Sequence, residues 1–152
     1  METAHNISCD CVVMADKIYI RDFYSTYVYE PKENKWETDH MKSWENAYVV
    51  DNVLYYHDRV TNTLGAYDPN QKSWRMVEGL EELLAEIIGS KWSRTANYGG
   101  NMALLFSRTS EIWCAEISLE RRLGGKIWGK VEWCDHVWTG YFGISKSLAV
   151  MV

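Results

Sequence analysis

Short runs of β-branched and aromatic residues, separated every few positions by Asp, Asn, Gly or Pro, fill the first half of the chain. They lie at 12–14, 18–20, 27–29, 48–50, 53–56 and 64–67. Runs with this composition and spacing are typical of β-hairpins. Apolar residues keep a helical spacing only over 80–88, where we expect one short helix inserted in a loop. The pattern therefore predicts an all-β chain.

One motif occurs twice in this part of the sequence: Tyr, an acidic residue, Pro, four polar residues and Trp. Its markers are Tyr29, Pro31 and Trp36 in the first copy, and Tyr67, Pro69 and Trp74 in the second. Repeats of such a length are typical of solenoids and propellers, in which one unit buries its apolar face against the next. Because the units read as hairpins, the repeat predicts a β-propeller.

Each copy is interpreted as a four-stranded antiparallel blade. The first strand turns at Asp16-Lys17 or Asp51-Asn52, a longer polar loop leads to a third strand that ends at the Tyr, and the Pro turn leads to a fourth strand. We expect the Tyr and Trp to meet across the Pro turn and to pack against the next sheet.

A third copy is less regular. Its turn is at 99–101, its later strands are at 102–106, 112–117 and 127–131, and Trp113 and Trp128 are its markers. The residues from Val137-Trp138 onward are interpreted as the opening strands of a fourth unit. The predicted blades are 11–44, 45–79 and 95–134, with a remnant at 135–152.

The length of the chain conflicts with a closed ring. Propellers have about 4 to 8 blades, and 152 residues at about 40 to 50 per propeller blade provide three blades and a remnant. We therefore expect a truncated product, a fragment of a longer chain, or a part that completes its ring by self-association. Exposed sheet faces and strand edges are expected at both flanks.

Composition and charge narrow the class of partner. Eight Trp and ten Tyr are interpreted as packing between blades, with a stacking platform for sugars or bases as the alternative. A net charge of −5 argues against nucleic acid, which requires clustered Lys and Arg. The sequence contains neither a secretory signal nor a membrane-spanning apolar run, so we expect a cytoplasmic or nuclear protein with reduced cysteines.

Metal and catalytic chemistry find little support in the sequence. Cys9 and Cys11, and likewise Cys134 and His136, are separated by one residue, which is closer than the spacing typical of zinc ligands. No histidine has a nucleophile and an acidic residue at a sequence spacing typical of a catalytic site, and the Gly-x-Ser-x-Gly motif is absent. We therefore expect no metal, no cofactor and no enzymatic activity.

The chain resembles the kelch-repeat half of the plant F-box/kelch-repeat proteins, in which a Skp-binding F-box precedes a propeller. The phrases that carry the resemblance include KIYIRDFYSTYVYEPKENKW, VLYYHDRVTNTLGAYDPNQKSW and EIWCAEISLERR. The resemblance extends from about Cys11 to Val152. The chain departs from it at the Gly-Gly pair that usually follows the second strand, where it has Arg21-Asp22, His57-Asp58 and Ser107-Arg108.

The resemblance implies a non-enzymatic module whose loop surface recruits a protein for ubiquitination. Because the first predicted strand begins about ten residues after Met1, we expect no F-box in this chain and no Skp binding. Propeller function resides on loops, which makes the loops between second and third strands the candidate contacts: Arg21, Asp22, Phe23 and Tyr24, then His57, Asp58 and Arg59. The alternatives are a small carbohydrate-binding or enzymatic propeller, and a truncated product without function.

Overall fold

The computed structural model describes residues 10–22, 24–39, 44 and 46–139. Within these ranges the chain forms three four-stranded antiparallel sheets, which we call blades I, II and III. Blade I consists of β1 (Asp10–Met14), β2 (Lys17–Arg21), β3 (Thr26–Glu30) and β4 (Lys35–Asp39). Its strands pair in sequence order, which is the antiparallel meander that the repeat predicts.

Blades II and III repeat this arrangement. Blade II consists of β5 (Tyr48–Val50), β6 (Val53–Asp58), β7 (Thr63–Asp68) and β8 (Ser73–Glu78). A short helix, α1 (Glu81–Ile87), follows it. Blade III consists of β9 (Ser93–Tyr98), β10 (Asn101–Arg108), β11 (Glu111–Arg121) and β12 (Ile127–Thr139).

The blades are arranged as in a propeller. The first strands of successive blades are neighbours, with β1 beside β5 and β5 beside β9. At the outer edge, β8 and β12 pair in parallel through Ile127 with Val77 and Trp128 with Glu78, which joins blades II and III into one eight-stranded sheet. The prediction of an all-β partial propeller with three blades and one short helix is confirmed.

Tight turns with left-handed backbone conformations connect the first two strands of each blade. Ala15 and Asp16 have φ of 49° and 62°, and Asp51 and Asn52 have φ of 50° and 59°. Positive φ at both central residues is the feature of the hairpin turns that match strand twist, and Asn, Asp and Gly tolerate it best. The turn of blade I thus lies one residue earlier than predicted.

Two apolar cores lie between the blades. Successive side chains of β6 point to opposite faces of the sheet, so Leu54 and Tyr56 pack toward blade I while Val53 and Tyr55 pack toward blade III. Blade I contributes Met14, Tyr19 and Val28 to the first core. Blade III contributes Met102, Leu104, Phe106, Ala115, Ile117 and Ile127 to the second, which α1 also covers through Leu83 and Ile87.

The marker residues of the first two blades meet across their Pro turns, as predicted. Tyr29 pairs with Trp36 and Tyr67 with Trp74 in the strand register. Their ring centroids are 4.6 Å and 5.0 Å apart. The motif therefore specifies the same hairpin in both copies.

Blade III differs from its predicted form at its outer strands. Val131 lies opposite Ile117, just as Trp74 lies opposite Tyr67, so Trp128 does not hold the marker position. Trp128 instead packs on the Arg122 guanidinium, 4.4 Å from its ring centroid. The reason is that β11 continues to Arg121, which places the connection to β12 farther along the chain.

The predicted opening of a fourth unit is wrong where the structure describes it. Trp138 pairs with Ile112 and Thr139 with Glu111, so both belong to β12 of blade III. Val137 lies in the same strand. Pairing with β11, which shifts register at two bulges, carries the last strand of blade III past the predicted end at 134. The rest of the predicted remnant, 140–152, lies outside the described residues.

Candidate interaction face and its cleft

The strand ends form two faces of the propeller. Since each blade is a meander, its second-to-third-strand turn and its connection to the next blade lie at the same end. We call this end the cleft face, formed by the described residues of the turns at 22–25 and 59–62 and of the segments at 44–47 and 88–92. The opposite face carries the remaining turns, including those at 99–100 and 122–126.

The turn of blade I on the cleft face is held by an aspartate. Asp22 Oδ1 accepts hydrogen bonds from the backbone N–H groups of Tyr24 and Ser25, both at 2.8 Å. These bonds stabilise the carboxylate and lower the pKa of Asp22 below its ordinary value. The Tyr24 side chain is 93% exposed, so the turn presents an aromatic ring to solvent.

Blade II repeats this turn. Asp58 Oδ1 accepts hydrogen bonds from the backbone N–H groups of Val60, at 2.9 Å, and Thr61, at 3.4 Å. Val60, which stands where Tyr24 stands in blade I, is 95% exposed. The side chain of a local aspartate thus fixes each turn, and each turn projects one apolar group outward.

A cleft of about 590 Å³ opens beside the turn of blade II. Its walls come from blade II, Asn46, the segment after α1 and β9 of blade III. The residues that line it are Asn46, Tyr56, His57, Asp58, Arg59, Val60, Gly89, Ser90, Ser93 and Arg94. Gly89 has a φ of +86°, so the chain turns sharply after α1 to enter β9.

His57 ties three elements together at the floor of the cleft. Its Nδ1 lies 2.7 Å from Ser93 Oγ and its Nε2 lies 3.0 Å from Asn62 Oδ1. Asn62 Nδ2 donates to the backbone oxygen of Leu84 at 2.8 Å, which turns the amide oxygen toward the ring. His57 Nε2–H therefore donates to Asn62, and Ser93 Oγ–H donates to Nδ1.

This network favours a neutral imidazole. Burial lowers the pKa of His57 below its ordinary value, although the hydrogen bond to Asn62 and the charge of Asp58 act in the opposite direction. Because both ring nitrogens are already hydrogen bonded within the protein, His57 holds the cleft in shape. Its ring offers no vacant nitrogen to a partner.

The two arginines of the cleft are placed differently. Arg59 is exposed at the tip of the turn, and no hydrogen bond or salt bridge engages its side chain within the part of the chain that the structure describes. Arg94 is half-buried in β9, where its Nη1 donates to the backbone oxygen of Ser93 at 2.9 Å. Both side chains line the same cleft.

The candidate contacts predicted from the sequence are divided between surface and interior. Tyr24, Asp58 and Arg59 lie on the cleft face, whereas the Arg21 side chain is buried and its Nη1 lies 3.2 Å from Asp10 Oδ2. Phe23 lies outside the described residues. The sequence indicated nothing about Asn46, Ser90, Ser93 and Arg94, because these residues reach the cleft only when the blades pack.

The described residues provide no cluster of metal ligands, and two of their cysteines have a raised pKa. No group of three or more His, Cys, Asp or Glu side chains there is arranged to hold a metal ion. Burial raises the pKa of Cys114 to about 11 and also raises the pKa of Cys134. Such thiols stay protonated and unreactive at neutral pH. Cys9 lies outside the described residues.

The comparisons with known proteins agree with the propeller geometry. The family model described as FKB95, Kelch-repeats domain, matches residues 1–138. The chain belongs to this kelch-repeat family. None of its helices in the described ranges is long and apolar enough to cross a membrane.

Curated relatives of this kelch-repeat chain come from Arabidopsis thaliana. F-box/kelch-repeat protein At4g38940 is 46% identical over 147 residues, which are 93% of this chain and 39% of that protein. F-box/kelch-repeat protein At4g39240 is 38% identical over 141 residues, 89% of this chain and 36% of that protein. The chain thus spans less than half the length of these relatives.

Proposed function

We propose that this kelch-repeat chain is a non-enzymatic protein-interaction module that captures its partner on the cleft face. Membership of the kelch family and the F-box/kelch names of its relatives support this role. By extension from those names, the captured partner is a protein destined for ubiquitination, and the ligase is held by an F-box. The chain supplies the recruiting surface in this arrangement.

The repeated turn on the cleft face carries the proposal. Asp22 and Asp58 fix the two turns in the same way, and each turn exposes an apolar side chain, Tyr24 or Val60, above a rigid sheet. A rigid scaffold that holds exposed groups beside a cleft loses little entropy on binding. Aromatic groups held in this way are typical anchors of protein interfaces.

A matched pair of double variants tests the proposal. In one, Tyr24→Ser and Val60→Ser remove the apolar groups of the cleft face. In the other, Tyr98→Ser and Leu123→Ser remove groups that are 52% and 97% exposed on the opposite face. Each purified protein is used to capture partners from Arabidopsis extract, and the proteins recovered are quantified by mass spectrometry.

We expect a specific set of proteins to be lost from the cleft-face variant and retained by the opposite-face variant. The affinity of each recovered protein is then measured in purified form against both variants. Equal recovery by the two variants, or loss only from the opposite-face variant, contradicts the proposal.

A further inference from the structure

We propose that the cleft binds an anionic group of the partner protein, either the carboxylate of Asp or Glu or the phosphate of a phosphorylated residue. This inference rests on the proposed function, since it specifies the chemistry recognised at the same face. The observation behind it is that Arg59 and Arg94 line one cleft in a chain whose net charge is −5.

The described residues that line the cleft carry two arginines and one aspartate. Among the described residues that line it, Asp58 is the one acidic side chain, and its Oδ1 already accepts two backbone hydrogen bonds within the turn. Arg59 has neither a hydrogen-bond nor a salt-bridge partner in the described ranges. Its guanidinium is therefore available to an incoming group.

Guanidinium groups suit this ligand chemistry. The planar fork of an arginine matches a carboxylate or phosphate with two parallel hydrogen bonds, and such charge-assisted bonds are about twice as strong as neutral ones. A basic site on an otherwise acidic surface also attracts anions selectively, because the surrounding charge repels them elsewhere.

The shape of the cleft fits a side chain that enters from above. Its volume of about 590 Å³ lies within the range of about 300 to 1,000 Å³ typical of ligand pockets. The floor is fixed, because His57 and Ser93 are hydrogen bonded to each other at 2.7 Å. Val60 stands exposed at the rim, where it can contact an apolar neighbour of the anionic residue.

Fluorescence anisotropy with three dye-labelled peptides tests the inference. The peptides share one Gly/Ser background with a flanking Leu and carry at the centre two glutamates, one phosphoserine or two glutamines. Binding is measured at low and at physiological ionic strength, because screening weakens contacts between exposed charges. Inorganic phosphate serves as the competitor.

We expect an anionic peptide to bind and the glutamine peptide not to bind. Arg59→Gln lowers the affinity about tenfold, which corresponds to the loss of one charge-assisted interaction. Arg94→Gln weakens binding in the same direction. Arg122→Gln, an exposed arginine on the opposite face, leaves the affinity unchanged. Circular dichroism confirms that each variant is folded.

The peptides also identify the source of the anion. Tighter binding of the phosphoserine peptide supports a phosphorylated partner, and tighter binding of the glutamate peptide supports an acidic segment. Absence of binding by both anionic peptides overturns the inference. So does equal binding of the glutamine peptide, or an equal loss of affinity in Arg122→Gln.

Failure of this inference is distinguishable from failure of the proposed function. If Arg59→Gln still captures the partners that the Tyr24→Ser, Val60→Ser variant loses, the cleft face binds proteins but not through an anion. If the two double variants recover the same proteins, the proposed face itself is wrong, whatever the peptides show.

Discussion

Blades I and II carry the same motif in the same register, yet their marker residues are buried to different degrees. Trp36 in blade I is 57% exposed, whereas its counterpart Trp74 in blade II packs against the core between the two blades. Tyr67, the hairpin partner of Trp74, is only 1% exposed. Both hairpins place Trp beside Tyr at nearly the same ring distance. Local geometry therefore does not account for the difference.

The neighbouring blade explains it. The face of blade II that carries Tyr67 and Trp74 packs on Met14, Tyr19 and Val28 of blade I. The corresponding face of blade I meets no other blade among the described residues. It exposes Val13, Tyr27 and Trp36 by 61%, 38% and 57%. In a repeat protein, the total stability is the sum of the intrinsic stability of each unit and the stability of its interfaces with neighbouring units. Blades I and II differ in how their Tyr–Trp faces are packed against a neighbouring blade.

Replacing the Trp of each blade is expected to give the largest difference between the blades in the loss of unfolding free energy. Trp74 contacts Tyr56 edge-on at 5.1 Å and Tyr67 at 5.0 Å, so Trp74→Ala should lower the free energy of unfolding by about 3 kcal/mol. Trp36→Ala removes chiefly its stacking on Tyr29 and should cost about 1 kcal/mol. Urea unfolding followed by circular dichroism measures both. Equal losses would show that the two surroundings are equivalent.

Removing the Tyr hydroxyl of each blade should give a smaller difference in stability loss between the two blades. Tyr67 Oη donates to Asp39 Oδ2 of blade I at 2.9 Å, while Tyr29 Oη donates to Asn34 Oδ1 of its own turn at 3.0 Å. Tyr67→Phe should cost about 1.5 kcal/mol, because it removes a hydrogen bond to a charged group. Tyr29→Phe should cost about 0.5 kcal/mol, since its bond is exposed and neutral. The same unfolding experiment tests this order.

Acid should act on blade II through His57, which occupies the position of Arg21 in blade I. Burial lowers the pKa of His57, so the folded protein binds a proton less readily than the unfolded chain. Stability is therefore retained above the ordinary pKa of 6.5 and lost as the pH falls below it. The charges facing the ring come from Asp58 and Arg59.

Urea unfolding at a series of pH values from neutral to mildly acidic measures this effect. His57→Gln should remove the part of the pH dependence that belongs to this residue. Blade I has Arg21, paired with Asp10, at the position equivalent to His57, so no histidine titrates at that position in blade I. An unchanged pH profile in the His57→Gln protein would contradict the assignment.

The smallest effect is expected at the exposed turns. Asp22→Ala removes the acceptor for the backbone N–H groups of Tyr24 and Ser25, so these two amides should exchange hydrogen faster. Asp58→Ala should act in the same way on Val60 and Thr61. Amide exchange by NMR tests both variants. Faster exchange throughout the blade would show that the aspartate supports more than its own turn.

The sequence predicted the regular blades well, because their signals are local. The Tyr, Pro and Trp spacing fixes a hairpin over a few residues, and the strands of blades I and II lie where alternating β-branched and aromatic residues place them. Blade III was harder to predict. Nothing in the spacing of Trp113 and Trp128 shows that β11 continues to Arg121 or that Trp138 pairs with Ile112.

The parts of the candidate site that could be predicted are those formed by residues close together in the sequence. The turns that contain Tyr24 and Arg59 could be located, since each lies between two recognisable strands. The burial of Arg21 could not be predicted, because its partner Asp10 lies across the β1–β2 pair. Ser93 and Arg94 reach the cleft from the next blade, and no spacing rule relates residues on separate blades.

By itself, the sequence determined the repeat, the strand pattern within each unit and the turns that the aspartates hold, because these depend on interactions between residues close in the chain. Only the tertiary structure decided which Tyr and Trp are buried, that His57 is locked between Ser93 and Asn62, and that two arginines share one cleft. The physical reason is that burial and local charge depend on which blade packs beside which, and packing joins residues that are distant in sequence.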